Sequence, residues 1–159
     1  MTVKTRACLR CRGQTRPAEI AQATGEERPL ALALHALPVL ECEKGHKQFI
    51  DTEFPLRVLD RLGEEASKLP AARERGMLLF KRFYCGGCGA ELKDAAQERK
   101  TVGVDIALEG LPQFRAELSL PFYRCAGCSA EQVRSTDEAT GRLPAALAHA
   151  FQGAGIPHG

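Results

Sequence analysis

The sequence predicts a small α+β fold in two tandem halves, each made of an antiparallel hairpin followed by a helix. Cys-x-x-Cys pairs occur at Cys85 and Cys88 and again at Cys125 and Cys128, and the residues between the pairs alternate between apolar and polar. A weaker copy of this arrangement begins at Cys8. Two thiol pairs joined by a hairpin can reach one tetrahedral metal ion. We therefore expect a metal-stabilised protein of two antiparallel zinc ribbons, each with a C-terminal helix.

Size and composition support a metal as a source of stability. The chain has 159 residues, no tryptophan, and only 6% aromatic residues. We divide it at Pro70 into residues 1–69 and 70–159, and halves of this size often need a metal because their hydrophobic core is marginal. A structural zinc site contributes on the order of 10 kcal/mol at neutral pH, because metal binding and folding are one event.

Charge and hydropathy narrow the classes of function. The net charge is only +2, from 22 basic and 20 acidic residues, whereas nucleic-acid-binding domains are usually strongly basic. No stretch approaches the ~18 apolar residues of a membrane span, and the N-terminus lacks the apolar segment of a signal peptide. An odd number of cysteines in close pairs is typical of thiolate ligands in a reducing compartment. We expect a cytoplasmic protein without membrane association, and the sequence leaves its oligomeric state open.

The first half is predicted to begin as strand, knuckle, strand. A short strand over residues 2–7 leads into Cys8, and a return strand covers residues 12–20. Residues 24–29 contain the glycine, proline and charges of an exposed loop. Leucine and alanine then alternate over residues 30–34, which indicates a second strand leading to the next ligand pair.

A helix is predicted to follow, beginning near Asp51. A capping residue stands at this start, and Pro55 falls in the first turn, where no intrahelical N–H is lost. Pro70 ends the helix. We expect the helix to pack over its own ribbon through an apolar stripe that comprises Phe54, Val58, Leu59, Leu62, Ala66 and Leu69.

The second half repeats the order of parts. Residues 71–83 allow either a helical linker or a strand that leads into the knuckle, and residues 93–100 are polar and predict a loop. Apolar residues alternate over residues 102–108 and again over 114–120, with a turn containing Gly and Pro between them, which predicts two strands. A helix should open at Thr140 and present Leu143, Leu147 and Phe151 on its apolar side.

The repeat extends to short motifs, which resemble those of a known family. Residues 37–42 and 120–125 place leucine, proline and cysteine at the same spacing. A strand, a Gly-x-Pro-like turn, a second strand, Pro-x-x-x-Cys-x-x-Cys and a helix make each half similar to the YgiT-type zinc fingers of bacterial antitoxin proteins. In that family the zinc module is structural and contacts a toxin or partner, while a separate helix-turn-helix domain binds DNA. The resemblance implies structural zinc and a protein partner in a regulatory or antitoxin-like role.

The predicted ligands form two sets of four, for two structural Zn²⁺ ions. The sets are Cys8, Cys11, Cys42 and His46, and Cys85, Cys88, Cys125 and Cys128. Iron, a redox pair or a disulfide are the alternatives for the four-cysteine set. Pairing across the halves would also satisfy the ligand count, but the helix and Pro70 between Cys42 and Cys85 favour sequential pairing.

We predict no catalytic residues and no enzymatic activity. A catalytic zinc keeps an open coordination position, whereas each set predicted here supplies four protein ligands and leaves no position open. A redox Cys-x-x-Cys usually lies at a helix start in a thioredoxin-like context, which this sequence lacks. Lys81, Arg82 and Arg124 lie beside aromatic residues and could contact nucleic acid. A nucleic-acid-binding regulator is therefore the alternative to a protein-binding module, and a zinc or redox enzyme ranks third.

Overall fold

The computed structural model describes residues 3–93 and 95–157, and it confirms the small α+β class, with antiparallel sheets and two helices in these ranges. The elements are strands β1 (Thr15–Glu27), β2 (Leu30–Cys42) and β3 (Lys47–Gln48), helix α1 (Phe54–Ser67), strand β4 (Arg73–Arg75), a 3₁₀ turn (Leu78–Phe80), strands β5 (Arg82–Tyr84), β6 (Ala96–Ile106), β7 (Phe114–Arg124) and β8 (Glu131–Gln132), and helix α2 (Thr136–Gly153).

Two long hairpins, β1–β2 and β6–β7, lie side by side in one sheet. Strand β2 pairs with β7 in antiparallel register from Ala31–Ser119 to His35–Arg115, so the order is β1-β2-β7-β6. Short β3 pairs with β2, and β8 pairs with β7. The boundary at Pro70 lies between α1 and β4, yet the sheet continues across it because each half contributes one hairpin.

The hydrophobic core is also continuous between the halves. One cluster of buried apolar residues contains Leu34 of β2, Leu118 of β7 and Ile106 of β6, together with Phe54 of α1 and Leu147 of α2. The alternation predicted for β2, β6 and β7 matches the face of the sheet that carries this core. The apolar stripe predicted for α1 is buried at four of its six positions and partly buried at the other two.

The placement of α1 differs from the prediction that it would cover its own ribbon. Helix α1 packs against β6, α2 packs against β1 and β2, and the two helices contact each other. The Nη2 atoms of Arg57 and Arg61 donate to the carbonyl oxygens of Glu109 (3.1 Å) and Asp105 (3.4 Å), both in the second half. The cause is the position of β3 and β8. Each pairs on the side of its hairpin that faces the other hairpin, so the following helix starts there.

Strand β1 covers residues 24–27 of the segment 24–29, which the sequence predicts to be a loop. The actual turn contains only Arg28 and Pro29. Gly25 lies inside the strand, and α2 packs directly on its backbone: a Cβ at this position would lie 2.0 Å from the carbonyl oxygen of Ala146. The glycine therefore indicates close packing here and not a turn.

Three other segments differ from the sequence prediction. Residues 3–7 form no strand, and residue 2 lies outside the described residues. Strand β6 begins at Ala96, within the segment 93–100 predicted as a loop, because backbone pairing with β7 orders it although its first side chains are exposed. Residues 71–83 form neither a helical linker nor one continuous strand. They fold into β4, the 3₁₀ turn and the start of β5.

Helix α2 begins four residues before the predicted start at Thr140, at Thr136. The Ser135 side chain caps it by accepting a hydrogen bond from the Glu138 N–H at 3.2 Å, which satisfies one of the free donors of the first turn. Pro144 consequently lies inside the helix. No helix in the described parts of the chain combines the length and apolar character needed to cross a membrane.

Candidate metal centres

The second ligand set has the geometry of a single metal ion. The Sγ atoms of Cys85 and Cys128 lie 3.6 Å apart, and those of Cys88 and Cys125 lie 3.5 Å apart. All four sulfur atoms lie within 4.8 Å of one another. A tetrahedral ion with metal–sulfur bonds of about 2.3 Å requires sulfur–sulfur distances of about 3.8 Å. The observed spacing therefore fits one ion held by four thiolates.

The first ligand set has the same geometry with one imidazole. The Cys8 Sγ atom lies 3.7 Å from Nδ1 of His46, and the Cys11 and Cys42 Sγ atoms are 3.7 Å apart. The four donor atoms again lie within 4.8 Å of one another. A tetrahedral site with one nitrogen needs a sulfur–nitrogen distance of about 3.6 Å. Each set is drawn from one half of the chain, as in sequential pairing, and all seven cysteines are free thiols.

Similar backbone turns form the three Cys-x-x-Cys knuckles. The residue four positions after the first cysteine donates its N–H to the carbonyl of that cysteine, as Gly89 does to Cys85 at 2.9 Å. This residue has a left-handed backbone at Arg12 (φ 62°), Gly89 (φ 80°) and Ser129 (φ 64°). Only one of these positions is glycine, the residue that adopts this conformation most easily. The chain therefore accepts local strain in two knuckles to bring their sulfur atoms together.

Two buried glutamines support the knuckles, and the sequence analysis missed both. In the second half, the Gln132 Oε1 atom accepts from the Gly86 N–H at 2.8 Å, and its Nε2 donates to the Cys85 Sγ at 3.2 Å. In the first half, the Gln48 Oε1 atom accepts from the Leu9 N–H at 2.8 Å. Each glutamine thus bonds to the residue that follows the first cysteine of its set. A glutamine shortly after each second ligand pair was the available sequence signal.

Hydrogen bonds to sulfur favour the thiolate form at the first cysteine of each set. The Gln132 amide and the Cys88 N–H lower the pKa of Cys85 to about 6. The Cys11 N–H in particular lowers the pKa of Cys8 to about 6. At Cys128 the Ala130 N–H acts in the same direction, but the neighbouring thiols outweigh it and raise the pKa to about 11. Metal ligation requires deprotonated thiols. The lowered pKa values of Cys8 and Cys85 therefore favour the form of the thiol that binds a metal.

The two clusters differ in access to solvent. In the second, Cys85 and Cys125 are buried, while Cys88 and Cys128 are exposed. In the first, Cys8 and Cys42 are buried, and Cys11 and His46 are partly buried. In both, the protein places four donor atoms around one point, which is the number of protein ligands in a structural tetrahedral metal site.

The three basic residues considered for nucleic-acid contact line two different clefts, and two of them are paired with carboxylates. The Nζ atom of Lys81 lies 3.0 Å from a Glu74 carboxylate oxygen, and an Arg124 nitrogen lies 2.7 Å from Glu131. Lys81 and Arg82 line one cleft. Arg124 lines a separate one. Two of the three positive charges are therefore compensated within the chain.

Comparison of the chain with protein-family models, with curated proteins and with solved structures gave no match. The function is therefore inferred from the geometry of the two clusters and from the surface that they support. The donor atoms of the clusters limit which metals can bind, and the charge and shape of the remaining surface limit which class of molecule can bind.

Proposed function

We propose that the protein binds two structural Zn²⁺ ions in tandem zinc ribbons, residues 1–69 and 70–159, and thereby presents a surface to a protein partner. The observation that carries this is the presence of two sets of four donors, each within 4.8 Å. Three thiolates with one imidazole, or four thiolates, in tetrahedral geometry are characteristic zinc ligand sets.

The role proposed for the metal is to hold two segments of each half together. In each half, the knuckle that precedes the hairpin would be joined by zinc to the turn that follows its second strand. Cys85, for example, directly follows β5, and Cys125 directly follows β7. A metal with four protein ligands fixes these segments without an exchangeable position, so we propose no enzymatic activity. The free thiols suit a reducing compartment such as the cytoplasm.

Two features favour a protein as the partner. The net charge of +2 is almost balanced, and two of the three basic residues proposed for nucleic-acid contact are paired with carboxylates. The similarity of each half to YgiT-type zinc fingers supports a regulatory or antitoxin-like role for this contact. Zinc would act in this contact only by holding the fold in shape.

Native mass spectrometry of the protein purified from its host tests the metal sites. We expect the mass of the reduced chain plus two zinc ions. His46→Ala should reduce the occupancy of the first site, because it removes one of four ligands. His149→Ala is the matched control, since this histidine lies outside both clusters and bonds to the Glu26 carbonyl. One zinc or none in the wild-type protein, or equal loss in both variants, would contradict the proposal.

A further inference from the structure

A short hairpin that precedes the second knuckle carries an exposed apolar tip. Strands β4 and β5 pair from Arg73–Tyr84 to Arg75–Arg82, and we call residues 73–84 the finger. At its tip Met77 is 80% exposed, Leu79 94% and Phe80 81%. Most large apolar residues are buried at least in part, and a contiguous exposed group of them marks an interaction site. Among the described residues ahead of the first knuckle, residues 3–7 form no strand, so no such hairpin precedes the knuckle there.

The tip has a defined conformation. The Phe80 N–H donates to the Met77 carbonyl at 3.1 Å and closes the 3₁₀ turn. Gly76 has a φ of 104°, and a Cβ there would lie 2.2 Å from the Phe80 carbonyl oxygen. Only glycine fits this approach. The base of the finger is joined to the second cluster, because Cys85 follows β5 directly. The apolar side chains are therefore presented on a preorganised support, which lowers the entropy lost on binding.

Uncompensated positive charge surrounds the base of the tip. Arg75 and Arg82 are exposed and lie directly opposite each other in the strand pair, a position at which like charges are destabilising. Neither forms a salt bridge with a carboxylate in the described part of the chain, and the same holds for exposed Arg73. Carboxylates on a bound partner would relieve this repulsion.

A concave surface adjoins the finger. A cleft of about 420 Å³ begins at the finger residues Lys81, Arg82 and Phe83, and it continues to Lys93, Tyr123 and Arg134. A flat bilayer surface cannot fill a cleft beside a projecting tip, whereas a protein surface can match both. Of the three tip side chains only Phe80 has a ring that could stack on a base, whereas Met77 and Leu79, the latter the most exposed of the three, have none. Shape and chemistry thus favour a protein over a membrane or a nucleic acid.

We propose that the finger inserts Met77, Leu79 and Phe80 into an apolar groove of the partner protein, and that the rim of this groove carries carboxylates facing Arg73, Arg75 and Arg82. This rests on the proposed function, in which the zinc-held fold serves a protein partner. The finger supplies the apolar centre of the interface, and the arginines supply its charged rim.

Photo-crosslinking in the host tests the position of the contact. The full chain carries p-benzoylphenylalanine at Leu79, or at Leu56, an exposed leucine of α1 that is 63% accessible and serves as the matched control. We expect one protein to be crosslinked from position 79 and not from position 56. Peptide mass spectrometry should place the crosslink in an apolar segment flanked by Asp or Glu.

The partner identified by crosslinking is then purified in its free form, and titration of the chain with this partner measures how much each residue contributes to the affinity. Leu79→Asp should weaken binding roughly 30-fold or more, the effect of a central apolar contact, while Leu56→Asp should change it less than twofold. Arg75→Glu should weaken binding and reduce its salt dependence. Both leucines are exposed, so the variants should fold, which circular dichroism verifies.

The outcomes separate this inference from the proposed function. Crosslinking from position 56 alone, or unchanged affinity in Leu79→Asp, would overturn the finger as the contact while a protein partner remained. Crosslinking from position 79 to a second copy of this chain, to lipid or to nucleic acid would overturn the inference. If neither position captures any protein, the finger is overturned as the contact, while the metal sites of the proposed function are decided separately by the native mass spectrum.

Discussion

Gln132 connects the metal ligands of the second cluster to the sheet. Its side chain is 3% exposed and bonds to both the Gly86 N–H and the Cys85 sulfur. Groups that hold metal ligands in this way orient the ligand and tune its basicity. Gln48 occupies the corresponding place in the first half and bonds to the Leu9 N–H. The same device in both halves indicates that these amides belong to the metal sites.

Gln132→Ala should lower the zinc affinity of the second cluster roughly 10–100-fold, the usual effect of losing a group that holds a metal ligand. The substitution leaves the Gly86 N–H without its acceptor and the Cys85 sulfur without its amide donor. Competition with a chromophoric chelator measures the affinity. Gln97→Ala is the control, because this glutamine of β6 is exposed. Equal affinities for wild type and Gln132→Ala would show that the amide does not support the site.

The metal ligands and the two glutamines differ in how well the sequence predicts them. Cysteine spacing predicted both ligand sets, because Cys-x-x-Cys is a local pattern whose chemistry requires the side chains to converge. The glutamines were not predictable in the same way. Their amides meet the knuckles only because β3 and β8 pair with the long strands, and that pairing is a tertiary feature. A glutamine shortly after each second ligand pair is a repeated position in the sequence, but the repetition alone does not indicate that the side chain is buried.

The contact between α2 and β1 depends on a glycine within a strand. Gly25 faces the helix backbone so closely that a Cβ would lie 2.0 Å from the Ala146 carbonyl oxygen and 2.5 Å from the Ala150 nitrogen. A side chain here would push the helix from the sheet. Turn signals in the sequence cannot separate this use of glycine from its use in loops, which is why the strand was missed between residues 24 and 27.

Gly25→Ala should therefore lower the free energy of unfolding by about 1–3 kcal/mol, the usual effect of overpacking. Gly63→Ala is the control, for which the opposite change in stability is expected. Gly63 lies inside α1, and apart from its chain neighbours and the backbone of the helix no atom lies within 4 Å of a new Cβ. Alanine should therefore raise the stability by up to about 1 kcal/mol through helix propensity. Urea denaturation measures both variants. Destabilisation by Gly63→Ala, or a neutral Gly25→Ala, would contradict the packing described for these elements.

At the scale of the whole molecule, the two halves are joined more closely than a tandem sequence predicts. The patterns of the two long hairpins and of the two helices are local, so the sequence predicts these four parts apart from some of their ends. It does not specify that β2 pairs with β7, because Ala31 and Ser119 are partners across a long separation in the chain. The exchange of helices follows from this pairing and from the side on which β3 and β8 lie. Periodicity within one half contains no information on either feature.

The shared sheet and core should make the chain unfold as one unit. Leu32 and Leu118 are buried cross-strand partners in the β2–β7 pair that joins the halves. Truncating either to alanine should lower the free energy of unfolding by about 2–5 kcal/mol. The double variant should depart from additivity, since the side chains lie opposite each other. Calorimetry of the zinc-loaded protein should give one transition with equal calorimetric and van't Hoff enthalpies.

Leu56→Ala serves as the control for this prediction. Its side chain is exposed on α1, so the transition temperature should stay close to that of the wild-type protein. Leu32→Ala should instead lower the temperature of the whole transition, including the part contributed by residues 70–159, because Leu118 of β7 loses its cross-strand contact. Two separate transitions, with Leu32→Ala moving only one of them, would show that the two halves are independent units that touch only through their strands.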